Sequence, residues 1–568
     1  MSAAATLVLR HGKIITVDAQ STIAEAVAIA GDSILYIGSS AEMQPFIGPD
    51  TRVIELRGAC VIPGLIDAHA HMDREGLREL FPSLAGTASV PAVVDIIARE
   101  VTGKPPGDWL VTSPLGTPPY HFDVEEMLAE NRVPTRWDLD AASPENPVYI
   151  QAIWGYWGWP PLVSVLNSRA LEICGISRQT QPPWEGVEIR RDGQGEPTGV
   201  ILEHNFVPTV EFTLLEQVPR ISIAQRTQGL RHSMQRFNAA GTTGIYEGHG
   251  IDPDLMLAYK RLWGEGALTV RSHLLFTPPC KSAHEFREQI EDWARMASGG
   301  GIGDDWLRVG GICFQLSGNR TVAELRRRAK PYTSWAGHYH DPVTPAELGE
   351  LVVIAAQNDL RVCVLADQLA NVDAVLAAFE AADRRVGIRD KRYIIQHLQF
   401  ATPPQLDRMK ALGLVVGVHP NNHIWKRGKR HLSPEGRQQI DRVTPMRDLI
   451  DWGIPVTVET DGSPIELLHA LWVLLARRER ETGEVIAPQQ RVSRQEVLRA
   501  ATFNGAYLTF EEAKKGSIEA GKWADLVVLE DDLLTFPEDC IKDLAIRLTI
   551  VGGQLMYEAA PTPGGVGV

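Results

Sequence analysis

The segment Pro63-Gly64-Leu65-Ile66-Asp67-Ala68-His69-Ala70-His71 ends an apolar run with two histidines two positions apart. In a strand, successive side chains point to opposite faces, so His69 and His71 share one. Two imidazoles side by side are a ready pair of ligands for a divalent metal. Two more apolar runs end in residues of matching chemistry, Gln396-His397 and Thr460-Asp461-Gly462. A carboxylate beside a metal can bind it, or take a proton from water that the metal has made acidic. Both positions also have plainer uses. His397 would serve as a core histidine with satisfied hydrogen bonds, and Asp461 as the cap of a helix opening near Pro464. Other histidines follow apolar runs: His249 near Glu247, the pair His338 and His340, and the pair His419 and His423. They are candidates for substrate contact, or for plain solvation.

Residues so far apart in sequence need a scaffold that gathers strand ends. Apolar, β-branched runs recur at Cys60–Ile66, Thr242–Tyr246, Thr269–Phe276, Leu307–Phe314, Arg361–Leu365, Tyr393–Ile395, Leu414–Val418 and Ile454–Val458. Helical periodicity follows most of them, at Pro345–Gln357, Val372–Ala382, Pro404–Leu412, Pro445–Trp452 and Pro464–Arg478. Eight buried strands alternating with helices predict an α/β fold, a (β/α)8 TIM-like barrel whose functional face is the C-terminal end of the strands. Short strands near both chain ends predict a small β-sandwich built jointly from residues 1–58 and 515–558. The barrel then takes residues 59–74 and 236–514. The gap between its first and second strands is too long for a connection. Residues 75–235 therefore form an inserted lid or substrate subdomain, with helices expected at Pro91–Val101, Val124–Asn131 and Ile221–Ala240. The Gly/Pro-rich tail 559–568 is expected to be disordered.

PGLIDAHAH resembles the first-strand signature of the amidohydrolase superfamily. Gly516-Ser517-Ile518-Glu519-Ala520-Gly521-Lys522-Trp523-Ala524-Asp525-Leu526-Val527 resembles its C-terminal motif. With Asn167–Leu171, Pro197–Glu203 and the long insertion, the motif order is most similar to the YtcJ-like, N-substituted formamide deformylase-like branch of amidohydrolase family 3. The resemblance implies a metal centre in the barrel mouth. His69 and His71 match its histidine pair and His397 its sixth-strand histidine. Asp461 matches its eighth-strand aspartate, which binds metal or accepts the proton of water. Two positions depart from the pattern. Cys313 stands where a metal-bridging lysine is common, with Ser317 at the following aspartate, and Leu365 replaces the fifth-strand histidine. Leucine binds no metal, so one ion is expected rather than two, held by His69, His71 and Asp461 with His397; zinc is expected, and manganese or iron would also suit. Cys313 is either a further ligand or a small buried residue, and Asp367 is a weaker substitute. Glu203 either reaches the mouth or lies on the surface. Trp154 and Trp157, in a run of aromatics, either line an apolar substrate pocket with His419 or fill the core of the insertion.

Composition narrows the function. The 56 Lys and Arg against 71 Asp and Glu leave a net charge of −15, which disfavours a nucleic-acid partner. Six cysteines (Cys60, Cys174, Cys280, Cys313, Cys363, Cys540) form no CxxC pair, which suits a reducing cytoplasm. No signal-like h-region and no run of about 18 apolar residues is present, so no membrane partner is expected. The expected protein is a cytoplasmic, metal-dependent hydrolase, as a monomer or homo-oligomer. It cleaves an amide-type C–N bond, not a peptide bond, of a hydrophobic or aromatic small molecule through metal-activated water. Two alternatives remain open: a metal-dependent decarboxylase or C–C hydrolase on an aromatic acid, and a non-catalytic binding protein with a degraded metal site.

Overall fold

The computed structural model describes the chain apart from residues 1–3, 118–120, 122–123, 154–158, 278–281, 293, 317–318, 330–336, 340–342, 367–368, 463 and 561–568. Trp154, Trp157, Ser317, Asp367, His340 and most of the C-terminal tail lie outside the described residues. Among the described residues no helix is long and apolar enough to cross a membrane.

Eight parallel strands form the barrel: Leu65–Ala70, Thr242–Ile251, Arg271–Phe276, Leu307–Gln315, Val362–Leu365, Ile394–Gln396, Val415–Val418 and Val456–Val458. Consecutive strands pair in order from the first to the eighth. The seam between the eighth and the first is closed differently. Asp67 Oδ1 accepts from the backbone N–H groups of His69 and Thr460, both at 3.1 Å, and Oδ2 accepts from the Thr460 hydroxyl. The Asp461 N–H adds a 2.9 Å bond to the carbonyl of His69. A buried carboxylate thus locks the two strand ends that carry His69 and Asp461. Burial pushes the Asp67 carboxyl up to about 7, against the opposing hydrogen bonds from Thr460 and His69.

The flanking helices begin where side chains cap free N–H groups. Thr344 and Glu347 form a capping box ahead of Pro345–Gln357, and Thr402 and Gln405 do so ahead of Pro403–Ala411. Their apolar faces join one large cluster with the barrel strands.

The run Cys60–Ile66 is two strands rather than one. Cys60–Pro63 joins a six-stranded sheet, and Leu65–Ala70 opens the barrel. Gly64 is the crossing point. Its N–H bonds to the carbonyl of Asp525, and a Cβ there would come within 2.1 Å of the Thr243 hydroxyl, so no larger residue fits without displacement. In the six-stranded sheet Cys60–Pro63 pairs antiparallel with Leu526–Leu529 and parallel with Lys13–Ile15. A four-stranded sheet from the N-terminal region packs on it through Leu9, Val27, Ile54, Leu526 and Val528.

The insertion holds more strand than its sequence suggests. Leu110–Thr112, Val148–Ile150, Leu162–Leu166, Val187–Arg191 and Pro197–Glu203 make a five-stranded sheet over its own core. The helix expected at Val124–Asn131 is a series of turns instead. The helix Ile223–Ala239, started by the Ser222/Gln225 capping box, belongs with the barrel. Its Leu230, Met234 and Phe237 pack among the second-strand residues and the helix that follows.

Candidate metal centre

The C-terminal ends of the first, second, sixth, seventh and eighth barrel strands converge on a buried group of histidines and carboxylates. His69 and His71 share a face, with ring centroids 5.2 Å apart. His249, from the overlong second strand, lies 5.0 Å from the His69 ring and 5.2 Å from that of His71. The intervening Gly248 is required: a Cβ there would come within 2.2 Å of the His69 ring. The His397 ring lies tilted with its centroid 4.2 Å from that of His69, and the His419 ring lies 5.1 Å from that of His397. Asp461 closes the ring of residues. Its Oδ1 is 2.9 Å from His71 Nε2 and 3.7 Å from His69 Nε2, and its Oδ2 is 3.8 Å from His419 Nδ1. Arg74 Nη2 also approaches Oδ1, at 3.5 Å.

Among the described residues, ligand-type atoms come within 4.8 Å of one another in four overlapping groups: His69, His71 and His249; His69, His397 and Glu459; His397, His419 and Asp461; and His71, Asp73 and Glu247. The donors are nitrogen and carboxylate oxygen, the set that suits zinc and its neighbours. Asp461 Oδ2, His69 Nε2 and both His419 ring nitrogens are buried with no hydrogen-bond partner. Buried polar atoms are rarely left so, and several aimed at one point are what a bound cation would satisfy.

The electrostatics agree. Burial drives the His69 imidazole well below its usual range, helped by the charge of His397, and holds His419 at about 3 despite Asp461. Burial opposes ionisation of Asp461. The hydrogen bond and charge of His71, with the charges of His419 and His69, outweigh it and hold the carboxyl well below its normal range. Unprotonated His69 and His419 beside an ionised Asp461 are the ligand forms that a metal takes.

A second ring of groups sets how these side chains point. Gln396 Nε2 donates to the carbonyl of Ala68 at 2.7 Å, which turns Oε1 toward His69 Nδ1 at 2.9 Å. The Nδ1 proton is thereby fixed and Nε2 keeps its lone pair toward Asp461. Asp73 Oδ1 does the same for His71 Nδ1 at 3.0 Å, and Glu459 Oε2 sits 3.2 Å from His397 Nδ1. His397 and Asp461 both have left-handed backbone, φ 59° and 53°. For L-residues that costs roughly 1–2 kcal/mol, a strain characteristic of functional positions. We expect Gln396→Met, similar in size but without the amide, to weaken metal affinity about 10–100-fold. Competition against a chromophoric chelator reads this directly, and unchanged affinity would show that Gln396 does not orient His69.

The structure therefore brings His69, His71, His397, His419 and Asp461 together, and adds His249. It separates two other candidates from the site. Cys313 sits in the barrel interior with Ala68, Tyr246, Leu275 and Cys363, and its thiol donates to the carbonyl of Gly248 at 3.5 Å. It belongs to none of the ligand groups; the strand register points it into the core and opposite Cys363.

Glu203 is likewise structural. It ends the last strand of the insertion sheet, fully buried. Its Oε1 accepts from the backbone N–H groups of Thr209 and Val210 and from the Thr209 hydroxyl, starting the short helical turn Thr209–Phe212. Glu211 lies close by and accepts from the Tyr149 hydroxyl at 2.9 Å. Burial raises both carboxyls to about 8, with the neighbouring Glu203 charge adding to the rise of Glu211. Each binds its proton more tightly folded than unfolded. The stability this gives is complete below the ordinary carboxylate range and is lost as pH rises through about 8. The melting temperature should thus fall from pH 6 to pH 9, and fall less in Glu211→Gln. Parallel slopes for the two proteins would refute this origin.

Asp73 and Glu459 escaped the sequence reading, although the signal was present. Each lies two positions from a recognised residue, His71 or Asp461, although Asp73 sits in the short helix Met72–Glu75 rather than in the strand.

Residues 52–557 match the amidohydrolase family model. The chain belongs to the amidohydrolase family. It is 27% identical to the N-substituted formamide deformylase of Arthrobacter pascens, over 97% of this chain and 98% of that protein. It is 24% identical to the putative amidohydrolase YtcJ of Bacillus subtilis (strain 168), over 94% and 96%. Among solved structures, an uncharacterized metal-dependent hydrolase from Pyrococcus horikoshii OT3 superposes with a TM-score of 0.66 at 18% identity, covering 94% of this chain and 99% of that one. Family membership makes the chain a hydrolase of the class acting on carbon–nitrogen bonds, as the motifs at its two ends imply, and the TIM-like barrel is the one expected.

Proposed function

We propose that this amidohydrolase family member is a metal-dependent hydrolase cleaving the amide-type C–N bond of a hydrophobic or aromatic small molecule. The observation that carries the reading is the convergence of His69, His71 and Asp461, with His397, His419 and His249 around them, on buried donor atoms in the barrel mouth. His69, His71 and Asp461 would hold one divalent ion, zinc first, with His397 or His249 completing the set. When bound, such an ion supplies Lewis acidity, polarising a carbonyl and making water acidic enough to deprotonate near neutral pH.

The chain's own groups then divide the work. Asp461, kept ionised by its histidine neighbours, accepts the proton of the attacking water. The water oxygen bonds to the acyl carbon, the C–N bond breaks, and Asp461 returns its proton to the departing nitrogen. His397 and His419 are placed to orient the carbonyl. Arg74 and the Asp67 seam keep Asp461 in place. Burial excludes bulk water, so each of these interactions acts at low dielectric.

Metal analysis of the purified protein, joined to amine release from a panel of formamides and arylalkyl amides, tests the reading. A stoichiometric metal and amine release support it. A metal-free active protein, or release of CO2 with no amine, overturns it.

The N-substituted formamide deformylase relative makes N-formyl amines sensible first members of the panel.

A further inference from the structure

His69 turns its inner nitrogen to the centre because Gln396 holds the outer one, and Gln396 is itself held from two sides. Its Nε2 donates to the carbonyl of Ala68 at 2.7 Å. Its Oε1 accepts from His69 Nδ1 at 2.9 Å and from the Cys363 thiol, also at 2.9 Å. His69, Cys363 and Gln396 are all buried. A carbonyl oxygen has two lone pairs, and here each receives one donor.

The barrel explains why a thiol stands at this point. On neighbouring strands Leu365 pairs with Gln396, and Cys363 with Ile394, two positions earlier. Cys363, Leu365 and Ile394 all belong to the cluster inside the barrel. Leu365, level with Gln396, has no polar side-chain atom, so the fifth strand meets the amide one layer lower, through Cys363. Cys313, opposite Cys363 on the fourth strand, does not compete for the amide, since its own thiol donates to the carbonyl of Gly248 at 3.5 Å. Burial, and then the adjoining Cys313, holds the Cys363 thiol well above its ordinary range, so it stays an S–H donor. A flipped amide would turn its N–H groups on the Cys363 and His69 protons and its oxygen on the Ala68 carbonyl. The three contacts thus select one orientation.

We propose that Cys363 is a positioning residue for the metal centre: its thiol holds the Gln396 carboxamide in the pose that orients His69, so the fifth strand, with leucine at its ligand position, still tunes metal affinity through two intervening side chains. The inference rests on the metal centre of the hydrolase reading. Zinc affinity is measured by competition with a chromophoric chelator, beside the melting temperature of the zinc-free protein. Cys363→Ala removes the donor and should weaken zinc binding roughly three- to tenfold, less than loss of the amide itself. Cys363→Ser keeps a donor and should hold zinc nearly as the wild type does, even though a hydroxyl in this apolar cluster lowers the melting temperature. In the Gln396→Met background, Cys363→Ala should change zinc affinity by less than about twofold, because the path ends at the missing amide.

Unchanged zinc affinity in Cys363→Ala overturns the proposal. So does equal weakening by alanine and serine, which would make the packing of the sulfur the cause. A full effect of Cys363→Ala in the Gln396→Met background overturns it too, since the amide would then be bypassed. A wild type that takes up no zinc fails the hydrolase reading and this inference with it, whereas normal uptake that ignores Cys363 fails this inference alone.

Discussion

Asp461→Asn lowers kcat by about 10³-fold, within the range that positioned acid–base groups contribute, and leaves the fold intact. Asparagine keeps the size, the left-handed backbone that Asn tolerates, and one oxygen toward His71. It loses the second charged oxygen and the ability to accept a proton. Because the same carboxylate faces His69, His71 and His419, some loss of metal is expected as well. The assay must therefore normalise rate to bound metal. A variant that carries full metal and is still slower by this factor identifies Asp461 as the proton carrier. One whose rate per bound metal equals the wild type would reduce it to a ligand.

The second large effect concerns the histidine pair. His69→Asn with His71→Asn should abolish stoichiometric metal and bring activity to background. Each imidazole has its outer nitrogen fixed, by Gln396 and by Asp73, and turns the inner one to Asp461. The loss should exceed the roughly 10–100-fold that removing one outer partner costs, and so exceed that of Gln396→Met. Elemental analysis after dialysis against trace zinc measures it. Retention of one equivalent would place the ion elsewhere, on His397, His419 and Asp461. The buried pair should tolerate asparagine thermally, because the seam at Asp67 and Thr460 does not pass through either ring.

The barrel was legible because its strands are buried on both faces and read as unbroken apolar runs between helices. His69, His71, His397 and Asp461 were legible because each ends such a run. The sheet of the insertion was not, since Leu110–Thr112 and Val148–Ile150 are three residues each, too short to show a period. Glu203 misled because a family-like motif around it says nothing of direction; its carboxylate turns back to cap Thr209 rather than outward to the mouth. For Cys313 two readings stayed open for a similar reason, and the structure shows the small buried residue. Its place in the strand was legible, but whether it faces ligand atoms or the packed interior depends on neighbours such as Cys363, fifty positions away.

Gly64 joins two bodies that are completed at different times during synthesis. The strand before it, Cys60–Pro63, needs Leu526–Leu529 as a neighbour, more than 460 positions later. At about 5–20 residues per second on the ribosome, that strand waits roughly 20–90 s with one hydrogen-bonding edge open. Its three buried cluster members, Cys60, Val61 and Ile62, must meanwhile stay clear of other nascent chains. The Lys13–Ile15 strand, made earlier, covers the opposite edge of Cys60–Pro63 from the start. The hazard is thus confined to one edge of a single short strand.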